Sequence, residues 1–175
     1  MALQSKTITG NGSRGHHRFT LTVTKNSKND STNTSSISYA FSISSIKSGW
    51  GWNTQGTNIS YTVTINGTNY SGTIPNYNGS STVTLKSGTL NVAHSAAGTK
   101  TMSFSFKVTD RDGLSYTCGS ASSSGSITLT STAGQGLVYI DNGSGWDAYQ
   151  VYIDNGSSWD RYIPYIDNGS GWDMY

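Results

Sequence analysis

The densest run of residues able to do chemistry is an aromatic and acidic phrase that occurs three times at a period of 13 near one end of the 175-residue sequence. Its copies are Tyr139–Tyr149, Tyr152–Tyr162 and Tyr165–Tyr175, each reading Tyr-Ile-Asp-Asn-Gly-Ser-x-Trp-Asp-x-Tyr. Tyr and Trp faces stack on sugar rings or enclose quaternary ammonium groups. One chemistry is therefore a ligand surface built from Tyr139, Trp146, Tyr149, Tyr152, Trp159, Tyr162, Tyr165, Trp172 and Tyr175. The competing chemistry is packing, with the same aromatics forming a core shared between copies or between chains. Each copy reads as strand, Asp-Asn-Gly-Ser turn, strand. A four-residue hairpin is marginal in water by itself, and repeats gain stability by stacking on their neighbours. Stacked copies would set identical Tyr and Trp positions in ladders.

Carboxylates offer a second chemistry. Asp110 and Asp112 flank Arg111 ahead of Gly113, and Asp141 and Asp147 bracket the first Asn-Gly-Ser turn. Calcium takes clustered Asp and Asn oxygens in tight turns. Neither segment has EF-hand spacing, and turn geometry alone accounts for Asp-Asn-Gly, so these four are weak calcium candidates and no metal or cofactor is expected. Ser, His and Asp are all present, but His16 and His17 sit in a Gly/Arg-flanked N-terminal loop and His94 in a turn. No Ser lies in a Gly-x-Ser-x-Gly elbow leading to a helix, so the expectation is a protein without catalytic activity.

Composition narrows the partners. Hydrophobic residues are 33% and charged residues 11%, with Ser, Thr, Gly and Asn taking the remaining share. This is not the charge-rich composition of a disordered chain. Before residue 138, ten Lys and Arg stand against three Asp, a net of +7; from there on, six Asp stand against Arg161, a net of −5. The plain account is a solvated surface on both parts, and the sharper one is attraction between tail and body. The basic residues are scattered along the sequence, so nucleic-acid binding is not expected. Cys118 has no second cysteine to pair with in the chain, so nothing calls for an oxidising compartment. The first 17 residues lack an apolar h-region, and no stretch reaches the roughly 20 apolar residues of a membrane span. Asn-x-Ser/Thr triplets such as Asn58-Ile59-Ser60 then follow from a Ser/Thr/Asn-rich chain rather than from glycosylation.

The elements that must position these residues are strands. Phe19, Leu21 and Val23 alternate with Thr, and Ile37, Tyr39, Phe41 and Ile43 alternate with Ser and Ala. Ile59, Tyr61, Val63 and Ile65 repeat the pattern, as do Met102, Phe104, Phe106 and Val108; Val83/Leu85 and Ile127/Leu129 give shorter versions. Period two buries one face and wets the other. Asn66-Gly67 between two such runs predicts a hairpin, and Asp112-Gly113 another tight turn. Gly- or Asn-rich clusters at 10–15, 26–35, 48–58, 76–80 and 96–99 read as turns. Trp50 and Trp52 around Gly51 read as packing at a sheet corner, or as an exposed aromatic platform. About eight strands within about 130 residues predict two antiparallel sheets face to face. Residues 131–137 read as a linker.

The phrase NGTNYSGTIPNYNGSSTVTLKSGTLNVAHSAAGTKTMSFSFKVTDRDG, with RFTLTV and NTSSISYAFSI before it, resembles an immunoglobulin-like domain of minor structural proteins of tailed phages and prophages of Gram-positive bacteria. The resemblance rests on Ser87-Gly88-Thr89, His94, Gly98-Thr99-Lys100 and Ser103-Phe104-Ser105-Phe106, and covers about residues 1–130. Ala97 stands where that family often has Asp, which removes one turn oxygen. The three-copy tail also resembles repeats that end such proteins. It has a fainter likeness to choline-binding repeats of cell-wall proteins, which are longer and spaced differently.

The expectations are therefore an all-β chain: an immunoglobulin-like antiparallel β-sandwich over 1–132, a linker over 133–137, and short β-hairpin repeats over 138–175. The resemblance implies a virion protein made in a bacterial cytoplasm, a tail or fibre component whose repeats drive homo-oligomerisation, a trimer above all, or docking to other virion proteins. The alternatives are an adhesin that binds a host cell-surface glycan through the repeat aromatics, and a capsid decoration protein.

Overall fold

The computed structural model describes residues 4–29, 32–46, 59–75, 81–94, 100–111, 117–129, 137–141, 143–162, 165–167 and 172–174. Among these there is no helix; every regular element is a strand. The body holds β1 (Ser5–Asn11), β2 (His17–Asn29), β3 (Thr34–Ser45), β4 (Ile59–Ile65), β5 (Thr68–Thr73), β6 (Val83–Ala93), β7 (Lys100–Asp110) and β8 (Ala121–Leu129). They form two four-stranded antiparallel sheets, ordered β1-β2-β3-β6 and β5-β4-β7-β8. The pairing of β3 with β6 and of β4 with β7 places chain-distant strands side by side, the Greek-key wiring of immunoglobulin-type sandwiches.

The alternating runs do what their period requires. Phe19, Leu21, Val23, Ile37, Phe41, Ile43, Val63, Ile65 and Met102 are fully buried between the sheets. Rings meet at the centre: Phe41 lies 5.1 Å from Phe106, 5.3 Å from Tyr61 and 6.0 Å from Phe19, centroid to centroid. Val83 and Leu85 are only partly buried, because β6 is an edge strand and a bulge opposite Phe41/Ser42 leaves Leu85 out of register. The outer faces explain the low hydrophobic fraction. Hydroxyls pair across strands there, Thr7 with Thr22 at 3.0 Å, Thr62 with Ser71 at 3.1 Å and Thr101 with Thr128 at 3.3 Å. Such pairs contribute a few tenths of a kcal/mol each while keeping the wet face free of apolar side chains.

The expected Asn66-Gly67 hairpin is present, with φ of 48° and 83° at the two turn residues and Ile65 paired to Thr68. The 10–15 cluster is a turn only from Gly12 on, because Gly10 and Asn11 still pair with β2 as the end of β1. The cluster expected to be a turn over 26–35 is a turn only at its centre: β2 runs on to Asn29 and β3 starts at Thr34, with a bulge between Lys25 and Ser27 that lets the polar stretch keep pairing. Trp50, Trp52, Asp112-Gly113 and the clusters at 48–58, 76–80 and 96–99 lie outside the described residues.

The two open sides of the sandwich close differently. At the β1/β8 side, Gly10 and Gly12 let backbone approach closely, and Gly125 makes room for a side chain; a Cβ there would lie 2.8 Å from Cγ2 of Ile8. At the β5/β6 side, tyrosines fill the gap. Tyr61 lies across from Gly72 and Tyr39 across from Gly88, each ring covering the glycine of its cross-strand partner. The Tyr61 hydroxyl donates to the Leu85 carbonyl of the other sheet at 2.9 Å.

The repeats also form strands: β9 (Leu137–Asp141), β10 (Trp146–Asp154), β11 (Trp159–Tyr162), β12 (Tyr165–Asp167) and β13 (Trp172–Met174). The first three make an antiparallel sheet ordered β11-β10-β9, and the last two a separate hairpin.

Candidate functional site

All three copies of the repeat adopt one hairpin register. Asp pairs with Trp beside the loop, Ile with Asp next, and Tyr with the variable residue after that: Asp141 with Trp146, Ile140 with Asp147 and Tyr139 with Ala148 in the first copy. The second and third copies repeat it at Asp154/Trp159 and Asp167/Trp172. The loop is built by its own side chains. Asp141 Oδ1 accepts from the Gly143 N–H at 2.9 Å and Asp154 Oδ1 from Gly156 at 2.8 Å, while both glycines take positive φ. Asn155 accepts from the N–H groups of Ser157 and Ser158 and donates to Asp160 Oδ2 at 2.6 Å. The Asp-Asn-Gly-Ser composition is therefore spent on turn hydrogen bonds.

The expected aromatic ladders do not follow from this register. Strand β10 carries the second half of copy one and the first half of copy two as a single nine-residue strand. The period from Trp146 to Ser158 is thus nine strand residues and four loop residues, and the chain reverses at both ends of β10. Trp146 consequently sits at one end of the sheet and Trp159, opposite Asp154, at the other. Copies two and three are joined through Ile163-Pro164, where copies one and two are joined by Gln150-Val151.

Among the aromatic candidates, Tyr149, Tyr152 and Tyr162 are about half exposed and Trp159 is 69% exposed. Side-chain positions of Tyr139, Trp146, Asp147, Tyr165 and Trp172, and Tyr175 as a whole, lie outside the described residues. Trp159 and Asp154 are cross-strand partners, and Tyr152 lies two residues along β10 on the same face. The feature not singled out from the sequence is the opposite face, where Val138, Ile140, Val151 and Ile153 alternate with those residues. Its signal was available as the period-two pattern inside each repeat.

Asp110 and His94 serve the body, and His17, expected in a loop, is the buried first residue of β2. Asp110 Oδ2 accepts from the Thr117 hydroxyl and from the Gly119 N–H at 3.0 Å, and the Asp110 N–H donates to the Ser120 hydroxyl. This ties the segment before β8 to the end of β7. Ser35 Oγ and His94 Nε2 lie 2.8 Å apart, but Ser35 is fully buried between the sheets, so a substrate has no approach to its oxygen. Among the described residues, no three His, Cys, Asp or Glu side chains converge as a metal site, and Asp112 lies outside them. Thr64, Ser103, Ser105, Ser124 and Ser126 line an open hollow on the outer face of the β4-β7-β8 region; hydroxyls alone supply no acid or base near neutrality.

Cys118 is buried, and burial together with the nearby Asp110 charge pushes its thiol up to about 12. Only the thiolate attacks thiol reagents. At pH 8, a disulfide reagent should modify Cys118 at least about a hundredfold more slowly in buffer than in denaturing urea. Equal rates would mean that the corner around Cys118 opens freely. The folded state holds the thiol neutral, so its contribution is complete below the ordinary value near 9 and is lost as pH rises from there towards 12. The loss is at most about 1.4 kcal/mol per pH unit, and Cys118→Ala should remove that slope from alkaline unfolding curves.

No protein-family model, no curated protein and no solved structure matches the chain.

Proposed function

We propose that this chain is a non-enzymatic structural protein of a bacteriophage particle, a tail or fibre component whose repeats join copies of the chain into a homo-oligomer, with a trimer favoured. The sandwich serves as a rigid surface module and the tail as the assembly device. The observation that carries the assembly role is the exposure of large apolar side chains on the repeat sheet, with Ile140 at 53%, Ile153 at 50% and Trp159 at 69%. A three-stranded sheet of short strands needs a covered hydrophobic face to hold together, and exposed apolar patches mark interaction surfaces. The virion assignment is supported by the family resemblance of residues 1–130 and of the tail phrase.

The test is light scattering after size exclusion on the full chain and on a chain ending at Thr132. The expected result is a stable oligomer for the first and a folded monomer for the second. Two monomers would overturn the assembly role. They would favour the second reading, a glycan-binding adhesin, for which the specific observation is Trp159, 69% exposed, as the cross-strand partner of Asp154. An aromatic face beside a carboxylate suits a sugar's C–H face and hydroxyls. A capsid decoration protein would share the fold and the oligomer and differ in its place on the particle.

A further inference from the structure

We infer that Asn155, in the Asn155-Gly156 loop of the second repeat, is a covalent modification site gated by its own hairpin: the closed loop holds the carboxamide away from reaction, and opening frees it to cyclise and deamidate. The inference does not rest on the assembly role proposed above, since it needs only the β10–β11 hairpin.

An asparagine before a glycine is open to this reaction because glycine has no side chain to shield its nitrogen or restrict its backbone. The Gly156 nitrogen attacks Cγ of Asn155, the Cγ–Nδ2 bond breaks, and the nitrogen's proton leaves with Nδ2 as ammonia. The product is a cyclic succinimide. Water then adds to either ring carbonyl and opens the ring to aspartate, or to isoaspartate, in which the backbone runs through Cγ. Two conditions must be met. Cγ must turn onto the Gly156 nitrogen, and that nitrogen must give up its proton.

The closed loop opposes both. Asn155 Oδ1 accepts from the Ser157 N–H at 2.9 Å, the Ser158 N–H at 2.7 Å and the Ser157 hydroxyl at 3.0 Å. Its Nδ2 donates to the Ser158 hydroxyl at 3.0 Å and to Asp160 Oδ2 at 2.6 Å. Turning Cγ gives up these contacts together. The Gly156 N–H donates to Asp154 Oδ1 at 2.8 Å, and a carboxylate beside it disfavours the nitrogen anion that attacks. Asn155 is itself exposed, so water reaches it freely, and the barrier is the hydrogen-bond set rather than burial. Once the reaction has run, reclosure is opposed. Aspartate at position 155 sets a second carboxylate where Nδ2 now faces Asp160, and isoaspartate adds a methylene to the backbone beside the Asp154/Trp159 pair. Either product takes the net charge of the repeat region from −5 to −6. The loop thus records an opening of the hairpin as a one-way covalent change. Asn142-Gly143 and Asn168-Gly169 repeat the dipeptide, and Asp141 holds the Gly143 N–H at 2.9 Å as Asp154 holds that of Gly156.

The experiment incubates the full chain in mildly alkaline buffer and follows Asn155 by peptide mapping, which separates aspartate from isoaspartate. Asn66-Gly67, in the β4–β5 hairpin of the body, is the internal control. Asn155 should react at least about tenfold more slowly in buffer than in denaturing urea, the open state being a minor one in the folded chain. Asp160→Ala should speed the reaction in buffer at least about fivefold, with a matching rise in hydrogen exchange at the Ser157 and Ser158 amides. Asp160→Asn, which keeps an acceptor for Nδ2, should stay within about threefold of wild type. Neither variant should change the rate at Asn66, and isoaspartate should accompany aspartate throughout. Equal rates in buffer and urea would overturn the gate. A faster rate in buffer would also overturn it, by showing that the three donors to Oδ1 activate the carbonyl instead of holding it. An Asp160→Ala rate unchanged at Asn155, or raised equally at Asn66, would overturn the role of these contacts. Aspartate formed without isoaspartate would mean direct hydrolysis and overturn the cyclisation.

Discussion

Phe41→Ala is expected to lower the unfolding free energy of the body by about 3–5 kcal/mol, the range for truncating a buried Phe. For a sandwich of this size, that is a fall in Tm of roughly 10–20 °C. The reason is position as well as volume. Phe41 is fully buried on β3, an inner strand, and its ring lies within 6.0 Å, centroid to centroid, of Phe19 in its own sheet and of Tyr61 and Phe106 in the other. Removing it takes a partner from three rings at once and leaves a cavity between two sheets whose ladders resist collapse. Phe41→Leu, which keeps most of the volume, should cost less than half as much. Urea unfolding followed by circular dichroism separates the two, and a loss under about 1 kcal/mol for the alanine variant would mean that the core is not centred on this ring cluster.

Much of the body was legible because strand burial writes itself at period two. Phe19/Leu21/Val23, Ile37–Ile43, Ile59–Ile65 and Met102–Val108 fall where the alternation puts them, all facing inward. Strand β1 was not legible. Ile8 is its only large apolar residue, and its inward neighbour Gly10 is there because Phe106 lies 3.1 Å from where a Cβ would stand, a requirement known only after the sheets are packed. The stretch Asn26–Asn29 reads as a loop because its residues are polar; pairing with β3 through a bulge overrides that composition. Tyr39 and Tyr61 were read as core residues, which they are, but their specific task of covering Gly88 and Gly72 depends on registers that no local pattern encodes.

In the tail the turn was legible and the stacking was not. Asp-Asn-Gly-Ser predicted a hairpin, and every copy has it in one register. A ladder of Trp requires successive copies to run in the same direction, whereas a hairpin repeat with one strand per period reverses at each loop. Trp and Tyr are the chemically conspicuous residues of each repeat, yet Ile140 and Ile153 define the more uniformly apolar face.

Gly12→Ala is the second large effect expected, about 3 kcal/mol of destabilisation or more. A Cβ at Gly12 would stand 1.9 Å from the carbonyl oxygen of Cys118 and 3.0 Å from its carbonyl carbon. Both are backbone atoms, so no side chain can swing aside. The turn cannot retreat cheaply either: the Gly12 N–H donates to the His17 carbonyl at 2.9 Å, the Gly15 N–H donates to the Gly12 carbonyl at 2.8 Å, and the Ser13 N–H donates to the Ser120 carbonyl of the facing segment at 3.0 Å. That segment is itself held by the Asp110 carboxylate through Thr117 and Gly119. Gly15→Ala in the same turn is the control. Its φ of 73° disfavours a side chain, but a Cβ there meets nothing within 4 Å, so its cost is the backbone term alone, about 1–2 kcal/mol. If steric seating of the turn on Cys118 governs the corner, Gly12→Ala should also speed reagent attack on the thiol, and Gly15→Ala should not. Equal stabilities and equal thiol protection for the two variants would show that the turn does not rest on that carbonyl, and that the β1/β8 side is closed by Ile8 against Gly125 instead.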